Sequence, residues 1–112
     1  EADEEQLRRR RAAADAARSK NAAATEFKSN LSMIRNYASS GLCEKAVDHL
    51  RKCLAVVDDS TTAEDLYAVV YAMAKCQSDA SAREMQLRVC RMIIERFPES
   101  QEAQLAGFEL GG

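Results

Sequence analysis

A chain of 112 residues suits one domain with a modest core. Its 46% hydrophobic and 30% charged residues exclude a disordered chain. A net charge of −2 and a pI near 5.5 give no overall basic field for nucleic acid, and no apolar run approaches the roughly 20 residues that span a bilayer.

Four glycines, one proline and no alternating strand pattern predict an all-α fold. The chain starts at Glu1 without methionine and so reads as a piece of a longer protein, from which a targeting segment would be missing. Residues 1–26 form a predicted alanine- and charge-rich helix. Glu4→Arg8 and Glu5→Arg9 are spaced as i, i+4 pairs in the favoured orientation. Arg8 to Arg11 point around the whole helix and have acidic neighbours at Asp3, Glu4, Glu5 and Asp15. They read as a solvated, salt-paired surface ahead of a nucleic-acid or lipid site. The apolar side of this helix is almost all alanine, which packs closely but stabilises little. It is either an extra helix laid on the rest or the end of a longer coiled segment. No Gly or Pro precedes Gly41, so the helix is free to run on unbroken; a softer break near Ser19 to Thr25 is the alternative.

Residues 27–58 read as a pair of amphipathic helices. Phe27, Leu31, Met33, Ile34, Tyr37 and Ala38 line the first; Cys43, Ala46, Val47, Leu50, Cys53, Leu54 and Val57 line the second. Ser39-Ser40-Gly41 is the predicted turn, with Gly41 ending the helix in the left-handed conformation. A second pair spans 61–98. Its first helix, about 62–76, starts from a predicted Thr61/Glu64 capping box and turns Leu66, Val69, Val70, Met73 and Ala74 inward. Its second, about 81–97, starts from Ser81/Glu84, carries Ala82, Gln86, Val89, Cys90, Ile93 and Phe97 opposite its charges, and stops at Pro98. Ser100 caps a last helix to about Leu110, whose Ala103, Ala106 and Leu110 have nothing after them to cover.

The two pairs repeat. Ile34 matches Val70 at an offset of 36; Leu50 matches Cys90, Cys53 matches Ile93 and Asp58 matches Pro98 at 40. With Tyr37 near the end of its first helix, Gly41 in the turn, Cys43 where an aromatic is usual, and Ala46, Leu50 and Cys53 at the small–large–small packing positions, the first pair resembles a tetratricopeptide repeat. It departs at the missing Trp before Met33-Ile34 and at Asp58, where proline is usual; the second departs at Gln86, where a small residue is usual. ERFPESQEAQLAGFELG looks like the repeat boundaries of bacterial envelope members of that family. The resemblance covers about residues 27–112, as repeats at 27–58 and 61–98 and a partial one at 100–110. It implies antiparallel helix pairs stacked as a short right-handed solenoid. YASSGLCEKAVDHL also resembles pentatricopeptide repeats, which would imply single-stranded RNA as ligand.

The tetratricopeptide resemblance places Lys28, Leu31, Ser32, Arg35, Ala38 and Ser39 on a concave face, with Glu64, Tyr67, Ala68, Tyr71, Ala74 and Lys75. Tyr67 and Tyr71, four apart, share one side of a helix and suit peptide contact. Lys28, Arg35 and Lys75 suit an acidic or C-terminal carboxylate, although the family's carboxylate clamp is incomplete here. The alternative has the tyrosines packed on the N-terminal helix and the cations merely solvated.

Cys43, Cys53, Cys76 and Cys90 lack metal-site spacing. They read as buried free thiols of a reducing, cytoplasmic compartment, with two disulfides in an exported protein as the rival. His49 stands alone beside Asp48 as a surface or flank residue. With no nucleophile, phosphate-loop or metal motif, the expectation is a non-enzymatic module without cofactor. It would hold a protein or peptide partner; a homo-oligomerising scaffold and RNA binding are the alternatives.

Overall fold

The structure is a computed structural model and describes residues 2–111, without the side chains of Ala2 and residues 14–20. Among the described residues it is all helix with no strand. The elements are α1 (Ala2–Ser39), α2 (Cys43–Ala55), α3 (Ala63–Ala72), a 3₁₀ segment (Met73–Cys76), α4 (Ala80–Arg96) and α5 (Gln101–Glu109).

Residues without a helix breaker make one continuous α1 of 38 residues, with no break between Ser19 and Thr25. At about 1.5 Å per residue it accounts for most of the molecule's 63 Å long axis. Residues 3–13 are exposed, and among the described side chains the first buried one is Phe27. Glu5 pairs with Arg9 at 3.0 Å as the spacing predicts. The pairing of Asp15 and the alanine side of residues 14–20 lie outside the described side chains.

The end of α1 is set by Gly41, whose φ of +78° lets the backbone reverse. The Leu42 N–H donates to Tyr37 O and the Gly41 N–H to Ala38 O, so two of the helix's last carbonyls are satisfied. α2 then runs back along α1: Cys53 meets the Phe27 carbonyl, His49 meets Asn30, and Lys45 lies over Tyr37. α3 and α4 form the second pair, joined by Gln86 Nε2 donating to Val70 O at 2.9 Å. α1 packs on α3 and α2 on α4, and α5 closes against α4 and α3. Ile34, Leu50, Cys53, Leu66, Val69, Val89, Cys90 and Ile93 fill the core between them.

Several local expectations move. The capping box is Thr62 with Asp65, one residue later than predicted, because Thr61 is buried and its hydroxyl accepts from the Asp58 N–H. Asp79, not Ser81, caps α4, accepting from the Ala82 N–H. The third helix is α-helical only to Ala72 and finishes as the 3₁₀ segment. Ala103 and Ala106 are buried against the preceding helices, whereas Phe108, 73% exposed, and Leu105 lie on the exposed side of α5 and Leu110, just past its end, is also exposed. The cysteines are neither four free thiols nor two bridges. Cys43 and Cys76 are joined, with Cα atoms 5.7 Å apart, while Cys53 and Cys90 are free and buried.

Candidate partner-binding groove

Two i, i+4 steps build the groove. Arg35 and Ser39 stand on consecutive turns of α1, and Tyr71 and Lys75 follow the same spacing where α3 passes into the 3₁₀ segment. Packing α1 on α3 sets the two rows face to face. With Ala72 and Ala74 they line an open groove of about 450 Å³. Tyr71 is 75% exposed, which is unusual for so large a ring on a packed helix. Among the described residues no carboxylate lines the groove. Arg35 and Lys75 make no ion pair with the described residues, and both are exposed.

Of the six principal site residues read from the sequence, Arg35, Tyr71 and Lys75 converge here and three do not. Lys28 lines a separate small cleft with Phe27, Asp58, Thr61 and Asp65, where acidic neighbours oppose its charge. Leu31 is a core residue, 8% exposed, because its turn of α1 faces the bundle. Tyr67 is half-buried against the core. Burial, then Glu109, Cys90 and Tyr71, raise its hydroxyl above the ordinary value of 10.0, so it stays a neutral packing group. Ser39 and Ala74, on the wider predicted face, do line the groove, whereas Ala38 is buried. Ala72 is a lining residue the sequence pattern assigns to no site, and no local signal marks it.

His49 is not a bare surface residue. Its Nδ1 lies 2.8 Å from Asn30 Oδ1, while Asn30 Nδ2 donates to Glu26 O at 3.0 Å. That second bond turns the amide oxygen toward the ring, so Nδ1 carries the proton. Tyr37 stacks on the imidazole at 5.4 Å between centroids, and Lys45 covers the Tyr37 ring. The cluster ties α1 to α2. A second polar cluster ties α5 to α4: Arg83 donates to Gln86 Oε1, to Glu109 Oε2 at 2.9 Å and to Glu109 O at 3.0 Å.

Among the described residues no three His, Cys, Asp or Glu side chains gather as metal ligands would, and no helix is long and apolar enough to cross a membrane. Fold and groove together define an all-helical protein with an open, basic and aromatic groove. Compared with protein-family models, curated proteins and solved structures, the chain matches none.

Proposed function

We propose that the chain is a non-enzymatic interaction module of tetratricopeptide-like build, holding an acidic peptide or helix of a partner protein in the α1/α3 groove. The order of packing supports the repeat reading: each pair closes on itself, first helix meets first helix, and second meets second. The observation that carries the ligand reading is Tyr71, standing 75% exposed between Arg35 and Lys75, neither of which has a counter-ion among the described residues. An aromatic platform flanked by two exposed cations suits a segment bearing carboxylates beside an apolar side chain.

The test is a random peptide array followed by fluorescence-anisotropy titration of acidic, neutral and basic hits of equal length. Acidic peptides should bind best, and their affinity should fall as salt rises. Tyr71→Ala, and separately Arg35→Ala with Lys75→Ala, should each weaken binding about tenfold (about 1.4 kcal/mol) without changing the helical circular-dichroism signal. Equal binding of acidic and neutral peptides sinks the reading, as does unaltered affinity in the Tyr71→Ala protein.

Self-assembly is the second reading, favoured by Phe108 and Leu105 on the exposed side of α5. Light scattering behind size-exclusion chromatography decides it: a dimer that Phe108→Ser returns to one chain supports it, and one chain's mass at every concentration removes it.

A further inference from the structure

We infer that the Cys43–Cys76 disulfide is a redox gate on the groove. The inference rests on the binding reading above. Both walls end at this bridge. Arg35 and Ser39 lie eight and four residues before Cys43, separated from it only by the end of α1 and the Gly41 turn. Tyr71 and Lys75 lie five and one before Cys76. The bridge is therefore a covalent clip across the end of the groove, holding the turn after α1 to the end of the 3₁₀ segment. That segment carries Ala74 and Lys75 and is only four residues long. A short 3₁₀ run has poorer hydrogen-bond geometry than an α-helix, so its position depends on what anchors it. Met73 anchors one end in the core and the disulfide anchors the other.

The bridge is also reachable. Cys76 is buried, but Cys43 is only part-buried and lines an open cleft with Gly41, Leu42, Glu44, Lys45, Ser78 and Asp79. A dithiol reductant entering there would attack Cys43 Sγ as its thiolate. The Cys43–Cys76 bond breaks as a mixed disulfide forms on Cys43, and Cys76 leaves as a thiolate and takes up a proton. The reductant's second thiol then displaces Cys43. The reductant ends as a disulfide, and the protein gains two electrons and two protons as two thiols. Cys53 and Cys90 are bystanders, because both are fully buried. Burial pushes their thiols up to about 12 and about 11. In the reduced protein the 3₁₀ segment loses its outer anchor, Lys75 is no longer held opposite Arg35, and the groove binds its acidic ligand more weakly.

The experiment compares the protein as folded with the same protein in dithiothreitol, by hydrogen exchange and by anisotropy with the tightest acidic peptide from the array. Reduction should speed amide exchange about tenfold or more across residues 73–79, leaving the middle of α2 and of α4 protected. It should weaken peptide binding about tenfold, and reoxidation should restore it. Cys43→Ala should reproduce the reduced behaviour without reductant. Unchanged exchange over residues 73–79 overturns the gate. Equal peptide affinity in both redox states also overturns it while leaving the groove reading intact. A protein that binds the peptide in neither state removes the groove reading, and the exchange comparison still decides whether the bridge holds this segment.

Discussion

The two helix pairs match in burial at three offset-related positions and differ in chemistry. Ile34 and Val70, Leu50 and Cys90, and Cys53 and Ile93 are equivalent by offset, and all six are buried. The polar residues do not correspond. The first pair places Asn30 and His49 where the second has Leu66 and Val89, and the second places Gln86 where the first has Ala46. Position along the stack explains this. Leu66 and Val89 are fully covered, because the second pair lies between the first pair and α5. Nothing among the described residues covers the outer side of the first pair, so His49 stays half-exposed and its polar atoms remain partnered. Gln86 answers a different need. It donates to the Val70 carbonyl close to where the helix changes from α to 3₁₀ and the regular i to i−4 ladder ends. Positions equivalent by offset thus share burial, while covering by neighbouring helices and the local backbone decide which of the others are polar.

The sharpest way to break this comparison is to move the outer pair's polar residues inward. Leu66→Asn with Val89→His puts an amide and an imidazole at fully covered positions. It should cost about 4 kcal/mol or more, enough to unfold a domain of ordinary stability. Urea titration followed by circular dichroism measures it. A loss under about 1 kcal/mol would mean the inner positions are looser than their burial indicates.

The bridge between the pairs comes next. Cys43–Cys76 closes a separation of 33 residues, for which loop closure gives about 4 kcal/mol of stabilisation by restricting the unfolded chain. Urea midpoints with and without dithiothreitol test it, and coincident curves would show the unfolded chain to be compact already.

Much of this organisation was legible in the sequence. Apolar periodicity located the helices from Phe27 on, ion-pair spacing and the lack of breakers gave the N-terminal part of α1, Gly41 and Pro98 marked real ends, and Ser100 is the cap of α5. That Arg35, Tyr71 and Lys75 line one groove was legible, because the i, i+4 step and the 36-residue offset place them on facing helix sides. Leu31 and Tyr67 were misplaced for one reason. A concave face read by offset does not register which turn the neighbouring helix covers, and each of these side chains turns into the bundle. The bridge was unreadable because four cysteines allow several pairings and the spacing carries no preference. The capping shift at Thr62 depended on the burial of Thr61, which is a tertiary fact.

Gln86 separates hydrogen bonding from volume. Gln86→Met keeps the bulk but strands the Val70 carbonyl and removes one of three acceptors of Arg83, for a cost of about 2 kcal/mol. Gln86→Ala, which copies Ala46 of the first pair, adds a cavity and should cost about 3 kcal/mol. Equal stability of Gln86→Met and wild type would deny the Val70 bond its role.

The two pairs also exchange a thiol. By the 40-residue offset Cys53 corresponds to Ile93, and Cys90 to Leu50. Burial raises Cys53 from 9.0 to about 12. Cys90 rises from 9.0 to about 11, through burial and then Glu109, against lowering by Arg83 and Arg91. A raised acid holds its proton in the folded chain after the unfolded chain has lost it, so stability is intact below pH 9 and falls as pH rises. Each thiol should contribute a slope of about −1.4 kcal/mol per pH unit above 9, ending near its folded value. Melting curves between pH 8 and 10.5 should flatten in the Cys53→Val protein by one thiol's share, and identical slopes would place Cys53 in contact with water.

The smallest effect tests the opposite exchange, from the inner pair to the outer. Asn30→Leu with His49→Val removes both partners of one hydrogen bond together, so no buried donor or acceptor is stranded between them, though Glu26 O loses a donor. Replacing both partners is close to neutral where removing one is not, and the expected change is within about 1 kcal/mol of zero. His49→Val alone leaves Asn30 Oδ1 facing an apolar side chain and should be the worse of the two by about 1 kcal/mol. A double variant less stable than the single one would mean the bond from Asn30 to Glu26 O, rather than the contact with His49, is what holds this outer edge.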